Sequence, residues 1–212
     1  MSARHRLPAL AGIALASLLA GCTGPMLPGV GVGTIVPSSP ASTLPAPAPQ
    51  PSDLVAARRA AGIADCPASS KAPAVEGGLP DVTLECLGGD TTVRLAGLRG
   101  PMLVNLWAQW CEPCRAESAH LSAFAKSQSR VKVLGIDYAD PQPALAIEFA
   151  QLTSMTYPHL ADEEHTLRGP LGVTGIPYSL LIDTDGRIVA RHPGQFISLE
   201  NVQDWVAKGL AG

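Results

Sequence analysis

At 212 residues the chain has room for one ordinary domain plus additional segments. Its formal net charge of −3 and 16% charged residues leave no basic footprint for nucleic acid. A hydrophobic fraction of 46% suffices for a buried core, and the 20 prolines and 21 glycines are spread unevenly.

The N-terminus reads as an export signal: Arg4 and Arg6 supply the positive charge, and an apolar run follows from Leu7 to Ala20. That run is short for a membrane span, which needs about 20 apolar residues, and suits a signal-peptide core. It ends in Leu19-Ala20-Gly21-Cys22, which resembles the bacterial lipoprotein box. The resemblance implies cleavage of residues 1–21, a diacylglycerol on the Cys22 sulfur and a lipid anchor on the outer face of the cell membrane. An ordinary secretory signal is the alternative.

From Thr23 to Ser52 no residue is charged and proline recurs, notably Pro45, Pro47, Pro49 and Pro51. Such a stretch favours extended polyproline geometry and reads as a tether, residues 22–52, with no binding role of its own. The folded domain is expected over 53–212, with its core at 76–210.

Within it, Asp53–Ile63 predicts a helix capped by Ser52 or Asp53, with Gly62 near its end. Val82–Cys86 and Thr91–Leu95 flank Gly88-Gly89 and predict a hairpin. Pro101–Ala108 is a continuous apolar run suited to a buried strand, followed by a helix from Glu112 to Lys126. Val131–Tyr138 predicts a second buried strand and Pro143–Leu152 a helix that opens on proline. Tyr178–Asp183 and Arg187–His192 flank Thr184-Asp185-Gly186, a hairpin, and Leu199–Leu210 predicts a closing amphipathic helix. Strands alternating with helices and ending in a hairpin imply an α/β fold: a mixed sheet with helices on both faces and an N-terminal hairpin extension.

Trp110-Cys111-Glu112-Pro113-Cys114 falls where the apolar strand meets the helix. A helix N-terminus carries unpaired N–H groups and about half a positive charge, which favours a thiolate. Cys111 is expected with its sulfur exposed and Cys114, one turn on, sheltered. A Cys-X-X-Cys pair of this kind attacks and resolves disulfides. Pro113 fits the first helical turn, where its missing N–H costs nothing. Glu112 is expected to face solvent and to oppose the thiolate, while Arg115 favours it. A zinc site would need two more ligands, and no second Cys-X-X-Cys or His-X3-His is present. His159, His165 and His192 read as surface or loop residues.

Trp-Cys-Glu-Pro-Cys-Arg-Ala-Glu after an apolar strand, together with Gly172-Val173-Thr174-Gly175-Ile176-Pro177-Tyr178, resembles the TlpA/ResA-like group of membrane-tethered disulfide reductases. The resemblance covers residues 76–210 and implies a thioredoxin-like fold. It also implies a thiol–disulfide oxidoreductase without metal or organic cofactor. Cys111 would attack and Cys114 resolve. Pro177 would be cis and face the cysteines, with Ile176 and Trp110 presenting the substrate strand, and Glu117 would be buried beside them to move protons. The chain departs from the group at Ala119, where proline is frequent, and an ordinary solvated Glu117 is the alternative. Implied partners are exported thiol proteins, including apocytochrome c before haem attachment, and a membrane thiol reductant or oxidant, with the chain itself a monomer. An oxidative-folding disulfide donor and a non-catalytic binding module on the same scaffold are the competing functions.

Five cysteines are present. With Cys22 set aside for lipid and Cys111–Cys114 as the redox pair, Cys66 and Cys86 are left for each other. A structural disulfide is expected there; a second redox pair passing electrons to Cys111–Cys114 is the rival.

Overall fold

The structure is a computed structural model that describes residues 50–89, 91–127 and 130–212. The expected signal peptide, the lipidated Cys22 and all of the tether before residue 50 lie outside the described residues. Among the described residues no helix is long and apolar enough to cross a membrane.

The chain runs α1 (Pro51–Ala60), β1 (Thr83–Cys86), β2 (Thr92–Arg94), a 3-10 turn (Leu95–Gly97), β3 (Met102–Trp107), α2 (Glu112–Ser127) and β4 (Lys132–Tyr138). It continues through α3 (Pro143–Leu152), β5 (His159–Asp162), α4 (Arg168–Leu171), β6 (Tyr178–Ile182), β7 (Ile188–Pro193) and α5 (Leu199–Ala211). The strands form one sheet in the order β2-β1-β5-β4-β3-β6-β7. β3, β4 and β5 run parallel, whereas β1 and β2, on one side, and β6 and β7, on the other, are attached antiparallel.

β3 is buried at all six positions because it lies inside the sheet with both faces covered. Its side chains alternate between two cores. Leu103 and Trp107 pack with Leu121 and Phe124 of α2, Ile147 and Phe149 of α3, and Val202 and Val206 of α5. Met102, Val104 and Leu106 pack on the opposite face with Leu84, Val93, Leu167 and Leu171. The crossovers β3–α2–β4 and β4–α3–β5 step the same way across the sheet, so the right-handed rule puts both helices on one face.

Three details differ from the sequence expectation. α1 begins at Pro51, with Gln50 rather than Ser52 or Asp53 as its N-cap. Pro51 occupies a first-turn position where no N–H is missed, and Asp53 accepts the Gln50 N–H from position N3 at 3.2 Å. β5 and α4 were not expected. β5 is four residues, His-Leu-Ala-Asp, half of them polar, and α4 contains Gly169 and Pro170. Tertiary packing, not local propensity, holds both.

Candidate active site

The loop from Ala108 to Cys111 carries the chain from the end of β3 into α2. The Cys111 N–H donates to the Ala108 carbonyl at 3.2 Å, and the Arg115 N–H donates to the Cys111 carbonyl at 3.0 Å. Cys111 thus sits where an N-cap would, and its Sγ accepts the Cys114 N–H at 3.3 Å. An amide aimed at the sulfur, plus the helix dipole, stabilises a thiolate there. Cys111 and Cys114 are joined in a disulfide.

The surrounding loop is held from several sides. Asp140 accepts the Gln109 N–H at 3.3 Å, and the Arg115 guanidinium donates to the Gln109 carbonyl at 3.1 Å. That guanidinium also lies 4.8 Å over the Phe149 ring. Trp110 is 53% exposed beside the cysteines, anchored by its indole N–H to the Ala139 carbonyl at 3.2 Å. Glu112 faces solvent, as expected.

Ile176–Pro177 is a cis peptide, and the Ile176 carbonyl lies 3.7 Å from Cys111 Sγ. The loop before β6 therefore covers the cysteine pair. One expectation is corrected here: Cys111 is buried, 5% exposed against 2% for Cys114, because this loop packs over its sulfur. Trp110, Cys111, Cys114, Ile176 and Pro177 come together at one end of the sheet.

Glu117 lies one turn beyond Cys114 and is fully buried. Its two carboxylate oxygens accept from Asn105 Nδ2 at 2.8 Å and from the Phe196 N–H at 2.9 Å. Burial pushes its pKa up to about 7, and the two donated hydrogen bonds only partly oppose that. Near neutral pH the group is divided between its acid and its carboxylate, as a proton-transfer residue requires. Asn105, on β3, also donates to Ser179 Oγ at 3.1 Å, so Glu117 is held by a polar row across the sheet.

That row continues through Gly135 to His159. His159 is not at the surface but fully buried, with Nδ1 accepting the Trp107 indole N–H at 3.1 Å and Nε2 donating to the Met155 carbonyl at 3.2 Å. Burial lowers its pKa to about 4, so the ring is neutral and its tautomer is set by those two bonds. A Cβ at Gly135 would fall 2.0 Å from His159 Nδ1, which explains glycine at the middle of a buried strand.

Sequence reasoning missed Asp137. It pairs in register with Trp107, is fully buried, and neither carboxyl oxygen has a hydrogen-bond partner among the described residues. Burial, reinforced by Asp140 and Glu163, raises its pKa well above the usual carboxylate range. The only signal was an acid inside the apolar run Val-Leu-Gly-Ile-Asp-Tyr. Cys66 and Cys86 form the second disulfide, which ties the segment after α1 to the end of β1. No group of three or more His, Cys, Asp or Glu side chains that could hold a metal occurs among the described residues.

The architecture is a thioredoxin-like fold, shared with the crystal structure of a secreted disulfide oxidoreductase of Mycobacterium tuberculosis described as homologous to E. coli DsbE. That likeness has a TM-score of 0.54 and 22% identity, covering 60% of this chain and 96% of the other. By sequence the chain is 36% identical over 116 residues to the thiol:disulfide interchange protein DsbE of Pseudomonas fluorescens biotype C, covering 54% of this chain and 64% of that protein. It is 35% identical over 118 residues to the thiol:disulfide interchange protein HelX of Rhodobacter capsulatus, covering 54% of this chain and 65% of that protein. The match thus spans just under two thirds of each relative's length. Residues 75–191, more than half of the chain, match the AhpC/TSA family, and the chain belongs to it.

Proposed function

We propose that the protein is an extracytoplasmic thiol–disulfide oxidoreductase of the TlpA/ResA-like kind that reduces disulfides in exported proteins through Cys111 and Cys114. The observation that carries this reading is the Cys111 sulfur at the head of α2, facing the Cys114 N–H and lying under the Ile176 carbonyl. In the reduced state the Cys111 thiolate attacks one sulfur of a client disulfide and expels the other as a thiolate. Cys114 then gives up its proton, attacks Cys111 Sγ and releases the client as a dithiol, leaving the disulfide seen here. Ile176 and Trp110 flank the sulfur and receive the client backbone, while Glu117 takes the Cys114 proton at a pKa of about 7.

Clients of this reading are exported proteins with cysteine pairs, apocytochrome c before haem attachment among them, as the ResA-like motifs imply. The names of the DsbE and HelX relatives support thiol–disulfide interchange as the chemistry. Cys22 as lipid anchor and residues 22–52 as tether would hold the domain at the outer membrane face, with a membrane thiol reductant restoring the dithiol. The test is reduction of a disulfide-bonded CXXCH peptide by the pre-reduced full chain. Stoichiometric reduction that is lost in Cys111→Ser supports the reading, and no reduction by the wild type overturns it. A carboxylate with a pKa near 7 beside the pair suits turnover at neutral pH in either direction, so the oxidative alternative is separated by the potential of the pair.

A further inference from the structure

We infer that Cys66–Cys86 is a second, reducible dithiol site rather than an inert staple, and that it takes electrons from an external dithiol. The inference stands on its own, whichever way Cys111–Cys114 works.

The surroundings of the two sulfurs match their reduced forms. Arg58, on α1, is fully buried, and its Nη1 is directed at Cys86 Sγ. The same nitrogen lies 3.5 Å from the Leu87 carbonyl, and Nη2 pairs with Asp65 at 2.9 Å. Asp65 has a 75% exposed side chain, so its charge is screened by water while the guanidinium beside the sulfur is not. A disulfide sulfur is a weak acceptor and makes poor use of a buried cation. A thiolate makes full use of it, through charge and a charge-assisted hydrogen bond. On the other side, Cys66 Sγ lies 3.1 Å from the His159 carbonyl, the acceptor a Cys66 thiol needs. That carbonyl already takes the Leu87 N–H at 2.8 Å and has a second lone pair.

The accessible sulfur is also the right one to attack. Cys66 is half-buried, whereas Cys86 is 1% exposed. An incoming thiolate attacks Cys66 Sγ, the Cys66–Cys86 bond breaks, and Cys86 leaves as a thiolate onto Arg58. A leaving thiol with a lowered pKa departs faster. The second thiol of the donor then attacks the donor sulfur in the mixed disulfide. Cys66 is released and takes a proton, and the donor becomes a disulfide, two electrons having passed to the protein. Among the described residues, the exposed carboxylates Glu85 and Glu163 line a cleft of about 240 Å³ with Cys86, and the neutral His159 ring is turned to Trp107. The exposed carboxylates oppose the thiolate through water, and Arg58 favours it by direct contact.

Direct relay to Cys111 does not fit this geometry. β1 is three strands from β3, about 14 Å across the sheet at one strand spacing each, so the two pairs exchange electrons with separate donors.

The experiment equilibrates the full chain, with Cys111→Ser and Cys114→Ser in place, against graded ratios of reduced to oxidised dithiothreitol. Acid quenching, alkylation and peptide mass analysis then quantify Cys66 and Cys86. The inference predicts reduction while circular dichroism shows the fold intact. It also predicts an equilibrium constant that rises tenfold from pH 6 to pH 7, because one proton is released when Cys86 stays a thiolate. Arg58→Met should move the midpoint at least tenfold toward the disulfide. A pair that is reduced only after unfolding, or a constant that is flat with pH, overturns the inference. The pH series in the chain with native Arg58 decides by itself if Arg58→Met fails to fold.

Discussion

The two disulfides of this fold stand in contrasting settings. Cys111–Cys114 closes a three-residue step at a helix start, with a backbone amide on one sulfur and a carbonyl-bearing loop above it. Cys66–Cys86 spans 20 residues at the sheet's far side, beside a buried guanidinium and the carbonyl of a buried histidine. The first draws its electrostatics from backbone geometry that any Cys-X-X-Cys at a strand–helix junction shares. The second draws them from one side chain, Arg58, brought across the sequence by tertiary packing.

The largest expected effect separates the two pairs directly. Cys111→Ser should lower disulfide reduction by about a thousandfold or more, since no nucleophile replaces the thiolate at the head of α2. Equal activity in that variant would mean the second pair carries the turnover, and the contrast would collapse.

Glu117→Gln comes next, with an expected loss of about a hundredfold in turnover at pH 7, the lower end for removing a general acid–base group. Its pH signature sharpens the point. Glu117 titrates near 7 folded and near 4.3 unfolded, so between those values the native state binds the extra proton. Stability from this group is therefore full below about pH 4 and falls as pH rises to about 7, by about 4 kcal/mol in all. His159 acts oppositely: its lowered pKa costs stability as pH falls from about 6.5 to about 4. Compared with wild type, denaturant titrations of Glu117→Gln should lack the fall between about pH 4.3 and 7, and an unchanged slope over that range would mean Glu117 does not titrate in the fold.

Replacing both Cys66 and Cys86 by Ala should cost about 3 kcal/mol, from the chain entropy of a loop of this length. Turnover at Cys111 should stay within about twofold, measured by the same peptide reduction. A large loss of turnover would show that the distant pair supports the active site after all.

The smallest effect concerns the strand between them. Asp137 stands on β4, flanked by β3, which leads to Cys111, and β5, which pairs with β1. Because nothing among the described residues donates to its carboxyl, Asp137→Asn should raise stability by about 1 kcal/mol at pH 8 and change little at pH 4. Paired urea titrations at those two pH values check it, and destabilisation at pH 8 would reveal that the acid has a working partner.

These contrasts also mark how far the sequence could be read. The helices Glu112–Ser127 and Pro143–Leu152 and the buried strands before them follow from apolar periodicity and the position of proline. The cysteine pair was legible because a two-residue spacing at a strand–helix junction is a local pattern. β5 was not, since His-Leu-Ala-Asp is too short and polar to read as a strand until β4 and β1 close around it. His159, Asp137 and Arg58 share one reason for escaping notice: each is a polar side chain buried by residues distant in sequence. Glu117 could be singled out only through resemblance, because helical spacing alone allows a solvated glutamate equally well.

The most direct test is the reduction potential of Cys111–Cys114 in the full chain, measured against glutathione or dithiothreitol buffers with Cys66 and Cys86 monitored separately. The account predicts a value near that of thioredoxin, about −270 mV, fitting a reductant of exported disulfides. A value near that of a strong oxidant, about −120 mV, would contradict it and make the protein a disulfide donor.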